Sequence, residues 1–222
     1  MAELNDYSGP YKPDLRLEDL SKSFLIKLIE EYEYAWLDLT GAWYNHIKAK
    51  FGAQEADEGE LVAWCRMAER INPRYAKLAN IQLNTVIDSL KALQLPLDNN
   101  RADALFPAGE FDIKNPNHVI MTIRKCRTLE FMEKRAPQEI APRCYVLEQE
   151  TMYRYLINPY IKITALKLPP RKSPDEIACQ WEFIMSDEKQ WEPGQWSKWL
   201  TEKKRQTNQV KDIAAPDMFQ SS

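Results

Sequence analysis

The stretch EIACQWEFIM, residues 176–185, alternates apolar and polar side chains and decides the fold class of this chain. Cys179, Trp181 and Phe183 fall on one face of an extended segment, and polar residues between them fall on the other. A two-residue period of this kind predicts a strand with one buried face and one solvated face. We therefore expect a sheet covered by helices on one face, with Trp181 walling a pocket and Cys179 at its end.

Three more strands are predicted upstream of this one. The segments EFDIKN and NHVIMTIRKCRTL read as two strands joined at residues 115–117, so that Cys126 lies on the second strand, and PYIKITALKL reads as a third. In the second of them, Val119, Met121 and Ile123 share one face. The segments RTLEFMEKRA and APRCYVLEQETMYRYLIN, which lie between the strands, are typical of helices.

The N-terminal part is predicted to be helical. Ser21 is a suitable N-cap and Gly52 a suitable stop for one long helix, and a second helix covers residues 56–71. Asn72 and Pro73 predict the end of that helix and the start of a third, over residues 74–93. Apolar residues at three- and four-residue steps form a stripe on the long helix that we expect to be buried against the sheet or the other helices: Phe24, Leu28, Tyr32, Trp36, Leu39, Trp43, Ile47 and Phe51.

These elements predict an α+β fold in which an N-terminal three-helix part packs on an antiparallel sheet with further helices. The expected divisions form one integrated domain: a polar N-terminal arm over residues 1–19, a helical part over 20–95, the cysteine-bearing sheet part over 96–186 and a Trp-rich tail helix over 187–222.

Composition excludes several function classes. A net charge of −3 argues against a general nucleic-acid binder, which would need a basic surface. No apolar run approaches the ~18 residues that span a bilayer, and the N-terminus lacks the pattern of a signal peptide. We therefore expect a cytosolic protein whose four cysteines are thiols, with no nucleic-acid or membrane partner.

Several short motifs resemble the bacterial L-2-amino-thiazoline-4-carboxylic acid hydrolase-like family. They are IRKC at 123–126, RC at 143–144, NPYIKI at 158–163, LPP at 168–170 and CQWEF at 179–183, with LDLTGAWYNHIKAKFG and AWCRMAERI upstream. The order of helix and cysteine-bearing strand is also loosely similar to 4-vinyl reductase type ligand-binding domains. This second resemblance implies a small molecule bound between helices and a sheet, and the first implies hydrolysis of a small cyclic or amide-like substrate.

Three residues are candidates for catalysis. Cys144 lies at a predicted helix start, where exposed N–H groups lower a thiol pKa and favour a nucleophile; the alternative is a small buried apolar residue. Glu182 becomes a general acid or base if a helix covers it, and is merely solvated otherwise. His46 either lines a pocket or is a core or boundary histidine. The candidate contacts to a small-molecule ligand are Asp38, Trp43, Arg124 and Trp181.

A zinc site is the candidate cofactor site. The thiols of Cys126, Cys144 and Cys179, with Glu176 or Glu182, would supply the sulfur and oxygen ligands that zinc takes. The segment ALKLPP lacks the cysteine that many members of the resembled family carry before the double proline, which weakens a four-thiolate site. The alternative is three core cysteines, because no close ligand pair is present.

The tail offers a candidate partner surface between Trp191 and Leu200. Trp196, Trp199 and Leu200 share a helix face if the helix begins at residues 192–193. Such a face docks on its own domain, or on a second copy or a different subunit. Two function classes therefore remain: a cysteine- or metal-assisted hydrolase, and a non-catalytic small-molecule binding or sensor protein or accessory subunit.

Overall fold

The computed structural model describes residues 3–96, 109–141, 143–144, 157–198 and 202. None of the helices in this part of the chain is long and apolar enough to cross a membrane. The predicted α+β class is confirmed. The described helices and strands are, in chain order, α1 Lys22–Phe51, α2 Ala53–Leu78, α3 Val86–Leu93, β1 Gly109–Asn115, β2 His118–Ile123, α4 Arg127–Arg135, β3 Ile161–Lys167 and β4 Cys179–Met185, with 3-10 turns at Leu17–Asp19 and Pro137–Glu139.

The four strands form one antiparallel sheet in the order β1-β2-β4-β3, so β2 and β4 are central. Met121 lies opposite Trp181, and Ile123 lies opposite Cys179. Because side chains alternate along each strand, this register places Val119, Met121, Trp181 and the other apolar partners on one face. That face is the buried one, as the alternation in the sequence predicted.

The core lies between this face and the helices that cover it. Trp181 is 2% exposed and is among the largest fully buried side chains. Val86, Leu90 and Leu93 of α3 belong to the same cluster, because α3 presents its apolar face to the sheet. The predicted interior orientation of Cys179, Trp181 and Phe183 is confirmed.

The helices α1 and α2 form a hairpin whose first helix has the predicted ends. The Ser21 hydroxyl accepts a hydrogen bond from the Phe24 N–H and caps the start of α1. Gly52 ends α1 with φ +100°, a conformation that side chains rarely adopt. This glycine therefore turns the chain directly from α1 into α2.

The predicted break at Asn72 and Pro73 is wrong. α2 continues through Pro73 to Leu78, and Thr85 begins α3 with a capping box in which its side chain and that of Asp88 each bond the other's backbone N–H. The buried residues of α2 recur at helical spacing on both sides of the proline: Cys65, Ala68, Asn72 and Ala76. Packing of this continuous face outweighs the one hydrogen bond that Pro73 cannot donate.

The predicted burial of the α1 stripe is also wrong along the middle of the helix. Tyr32, Trp36, Leu39 and Trp43 are 66%, 48%, 58% and 60% exposed, and Phe51 is exposed as well. We call the first four the outer stripe. The side of α1 that is covered carries Glu33 and the half-buried Tyr44 and Ile47, so α2 packs beside the stripe rather than over it. Trp36 reaches α2 at the stripe's margin, with ring centroids 6.3 Å from Trp64.

Both ends of the described chain pack on the domain. Leu4 pairs with Leu20 in a short parallel bridge. Trp191 packs against the core, and the Glu69 carboxylate on α2 accepts hydrogen bonds from the backbone of Trp196 and Ser197. The described part of the predicted partner segment thus contacts its own domain. Two predictions fall partly outside the described residues. They are the helix predicted to continue over residues 145–156, and the part of the tail helix that carries Trp199, Leu200 and the residues after 202.

Candidate functional site

Cys144 is half-buried against the core, and its thiol acts as a hydrogen-bond donor. The Sγ atom donates to the Pro169 carbonyl oxygen at 2.8 Å. This bond requires the protonated thiol, because a thiolate has no proton to donate. Burial also raises the pKa of Cys144, which is the opposite of the predicted direction. The predicted activated thiolate therefore has no support at this position.

Glu182 lies on the sheet face opposite Trp181, where its carboxylate is 2.9 Å from Nε2 of His118. Beside this pair, the Gln180 amide donates to the Thr122 hydroxyl at 2.8 Å. These four side chains form a polar row across the two central strands. Glu182 is thus on the solvated face of the sheet, which is one of the two alternatives left open by the sequence, and its partner is His118.

The other predicted site residues are spread over the surface and the core. His46, Asp38 and Trp43 are exposed on α1. Arg124 is exposed and pairs with Glu110 at 2.6 Å. Trp181 is in the core on the side of the sheet that faces Cys144. The structure therefore does not bring Cys144, Glu182 and His46 together, because the sheet separates the first two.

The three thiols of the predicted zinc site have three different roles. Cys126 follows β2 and is the N-cap of α4, where its sulfur accepts the Leu129 N–H at 3.5 Å, so it is not on a strand as predicted. Cys179 is buried, and that burial raises its pKa to about 11. No group of three or more His, Cys, Asp or Glu side chains within the described residues is arranged to hold a metal ion. These residues therefore do not form the predicted three-thiol zinc site.

A charged cluster that the sequence did not predict lies where the hairpin meets the sheet half. Arg143 donates to Asp57 at 2.5 Å and to Glu60 at 2.6 Å. Its guanidinium lies over the Tyr44 ring, 4.9 Å from the centroid, and the Tyr44 hydroxyl donates to Asp57 at 2.9 Å. We call Tyr44, Asp57, Glu60 and Arg143 the Arg143 cluster. A neighbouring pair, Lys48 and Glu139 at 2.8 Å, joins the same two parts of the fold.

The electrostatics of the Arg143 cluster are those of a satisfied network. Burial and the hydrogen bond to Asp57 raise the pKa of Tyr44 to about 12. Burial alone would lower the pKa of Arg143, but the Glu60 and Asp57 carboxylates outweigh it and raise the pKa. The phenol stays neutral and the guanidinium charged at neutral pH. Such a cluster fixes the position of the hairpin and has no obvious proton to exchange with a substrate.

Sequence reasoning missed the Arg143 cluster because its members are far apart along the chain. Asp57 and Glu60 share a helix face at three-residue spacing, which is the only local signal. On a charged helix such as α2 this spacing is ordinary. Only the tertiary structure shows that both carboxylates meet one arginine.

A second charged contact holds the turn between β3 and β4. The Arg171 side chain is 2% exposed and donates twice to the Glu133 carboxylate of α4, at 2.7 and 2.8 Å. It also donates to backbone carbonyl oxygens, among them that of Pro174. All of these contacts are internal, so Arg171 stabilises the loop rather than presenting a charge to a ligand.

Comparison with known proteins gives a family and no activity. No curated protein matches this chain significantly. No solved structure does so either. A family model matches residues 18–185, from the turn before α1 to the end of β4. The chain therefore belongs to the family of unknown function DUF6125.

Proposed function

We propose that this chain is a non-catalytic subunit of a larger assembly and that it binds its partner through the outer stripe of α1. The observation that carries the proposal is the exposure of Tyr32, Trp36, Leu39 and Trp43, each about half exposed or more. Contiguous apolar surface of this kind on a folded domain marks an interaction site. Tryptophan and tyrosine are also the side chains that contribute most to binding at interfaces.

The distribution of exposed apolar residues supports this proposal. Nine of the eighteen large apolar side chains that are exposed in the described residues belong to α1 alone, so the exposure is concentrated and not scattered. The outer stripe lies within the residues matched by the family model, whereas the Trp191–Leu200 segment lies beyond them. The stripe is thus a feature of the family's part of the chain.

Complex size tests this proposal. In extract from the cells of origin, we expect the chain to migrate well above the mass of a single copy on native electrophoresis. A Tyr32→Ser, Trp43→Ser double variant should migrate as a single copy, because it removes two large apolar contacts. The matched control is Phe131→Ser, which removes an exposed aromatic residue from α4 instead. A double variant that still migrates like the wild type would refute the proposal.

A cysteine hydrolase acting on a small cyclic or amide-like substrate is the second candidate function. One observation favours it besides the family resemblance: Cys144 directly follows Arg143, so a thiol borders a charged cluster. The proposed roles are nucleophile for Cys144 and small-molecule contact for the neighbouring polar groups. The donation to Pro169 must then break before reaction, because only the thiolate attacks.

Alkylation separates the two candidates. With iodoacetamide near pH 7, a catalytic Cys144 should react faster than the thiol of a denatured chain, whereas a structural Cys144 should react more slowly because burial raises its pKa. Peptide mass spectrometry identifies the modified cysteine, and Cys144→Ser is the control. Fast labelling confined to Cys144 would favour the hydrolase.

We also propose a cytosolic location and a small-molecule ligand as a regulator or substrate. The location is supported by four cysteines that are all free thiols. Native mass spectrometry of the purified protein tests the ligand, because a bound molecule adds its mass to the folded chain and is lost on denaturation.

A further inference from the structure

We infer that the occupant of the outer stripe is a second copy of this chain, whose α1 packs antiparallel on the first. The inference rests on the proposed function and names the partner. It follows from the spacing of the stripe, from the apolar area involved and from the absence of charge within the stripe.

The spacing of the outer stripe is symmetric along the helix. Tyr32, Trp36, Leu39 and Trp43 follow one another at steps of four, three and four residues, the steps that form the seam between two packed helices. Read in reverse, the steps are the same. An antiparallel copy therefore places Tyr32 opposite the second copy's Trp43 and Trp36 opposite its Leu39. Such a two-fold contact uses the same patch on both subunits and closes on itself.

The exposed aromatic side chains of the stripe supply nearly half of the area that an ordinary dimer interface buries on each partner. Given that an aromatic side chain buries ~150–250 Å², the exposed fractions of Tyr32, Trp36 and Trp43 add roughly 350 Å² per copy. A standard interface buries ~800 Å² per partner. Leu39 in the stripe and Ile29, which is three residues before Tyr32 on the same face of the helix, supply further exposed apolar area.

Charge does not oppose this pairing. The two acidic residues between Tyr32 and Trp43 are Glu33 and Asp38, and each lies roughly 100° around the helix from its neighbour in the stripe. Glu33 is on the covered side of α1. The seam therefore brings no like charges directly opposite one another, which would otherwise disfavour a symmetric contact.

A charge-swap experiment on the purified full-length chain tests both the partner and its direction. Tyr32→Glu and Trp43→Lys each put a charge into the seam, so each variant alone should dimerise at least roughly tenfold more weakly than the wild type, by analytical ultracentrifugation. In an equimolar mixture, the antiparallel pairing sets Glu at 32 opposite Lys at 43. Mixed dimers should then form in preference to either homodimer. Phe131→Glu is the control with an exposed charge elsewhere, and it should dimerise like the wild type.

Circular dichroism must first show that each variant keeps the helical content of the wild type. Where a charged variant does not, Tyr32→Ser or Trp43→Ser replaces it in the measurement of weakened dimerisation. Wild-type dimers, weakened single variants and a preferred mixed dimer support the inference. A wild-type chain that is monomeric at high micromolar concentration overturns it, as do variants that dimerise unchanged. Cross-links from residues 199–222 of a monomer to α1 would make the chain's own tail the occupant, and this also overturns the inference. A purified monomer that still enters a larger species in cell extract removes the second copy but leaves the proposed function standing.

Discussion

Arg143 stacks on the ring of Tyr44, with the guanidinium carbon 4.9 Å from the ring centroid, and so connects the helical hairpin to the sheet half of the fold. The same guanidinium binds Asp57 and Glu60, the two carboxylates that face it from α2. One side chain therefore compensates two half-buried negative charges. This relationship predicts that Arg143 matters more for stability than other paired arginines on the surface.

Replacing Arg143 with alanine should lower the free energy of unfolding by about 2 kcal/mol. The change leaves Asp57 and Glu60 half-buried without their cation, and breaking a fully buried pair costs ~3–5 kcal/mol, which partial exposure here reduces. Urea denaturation measures the loss. The control is Arg124→Ala, which removes an exposed pair with Glu110 and should leave the midpoint unchanged within error. Equal effects of the two variants would contradict a stabilising role for the cluster.

Tyr44 should make stability depend on alkaline pH. Its pKa in the folded state is raised from 10.0 to about 12, so the folded chain holds the phenol proton more tightly than the unfolded chain does. The resulting stabilisation is fully present below pH 10 and is lost as pH rises toward 12.

The difference in unfolding free energy between wild type and Tyr44→Phe isolates this contribution from the titration of other groups. That difference should shift in favour of the variant as pH rises above 10. A difference that is constant over this range would mean that neither burial nor the hydrogen bond to Asp57 raises the pKa of Tyr44 in solution.

Trp43 and Trp181 should differ sharply in what they contribute to the stability of the single chain. Trp181→Ala empties a fully buried site and should cost ~3–5 kcal/mol. Trp43→Ala removes a side chain that is mostly exposed and should cost less than ~1 kcal/mol. Chemical denaturation at concentrations where the chain is monomeric gives both values. A loss at Trp43 as large as that at Trp181 would show that the chain buries its own stripe.

Pro73→Ala should stabilise the protein. Pro73 is an exposed residue in the interior of α2, where proline destabilises a helix by ~3 kcal/mol relative to alanine. Proline also reduces the conformational entropy of the unfolded chain, which stabilises the wild type by ~0.4–1 kcal/mol and offsets part of that cost. We expect a net gain of about 2 kcal/mol and a higher thermal midpoint. If the variant were less stable, Pro73 would instead be acting as the first residue of a new helix.

The sequence by itself determined which segments are strands and helices wherever the signal is local. Alternation in residues 176–185 predicted β4 and its buried face, and Ser21 and Gly52 predicted the ends of α1. These features depend on neighbouring residues, on backbone conformation and on a cap. Their physical causes therefore lie within a few positions of the residues concerned.

Only the tertiary structure decided the strand order, the continuation of α2 through Pro73, the side chains that Arg143 contacts and the exposure of the outer stripe. Each depends on which distant segments meet. The sequence shows that apolar residues recur on one face of α1 and form the outer stripe. An amphipathic helix has this same pattern whether its own domain or another molecule covers the apolar face. The stripe is exposed because α2 packs on the adjacent face of α1, and hairpin packing is a non-local choice that periodicity does not encode.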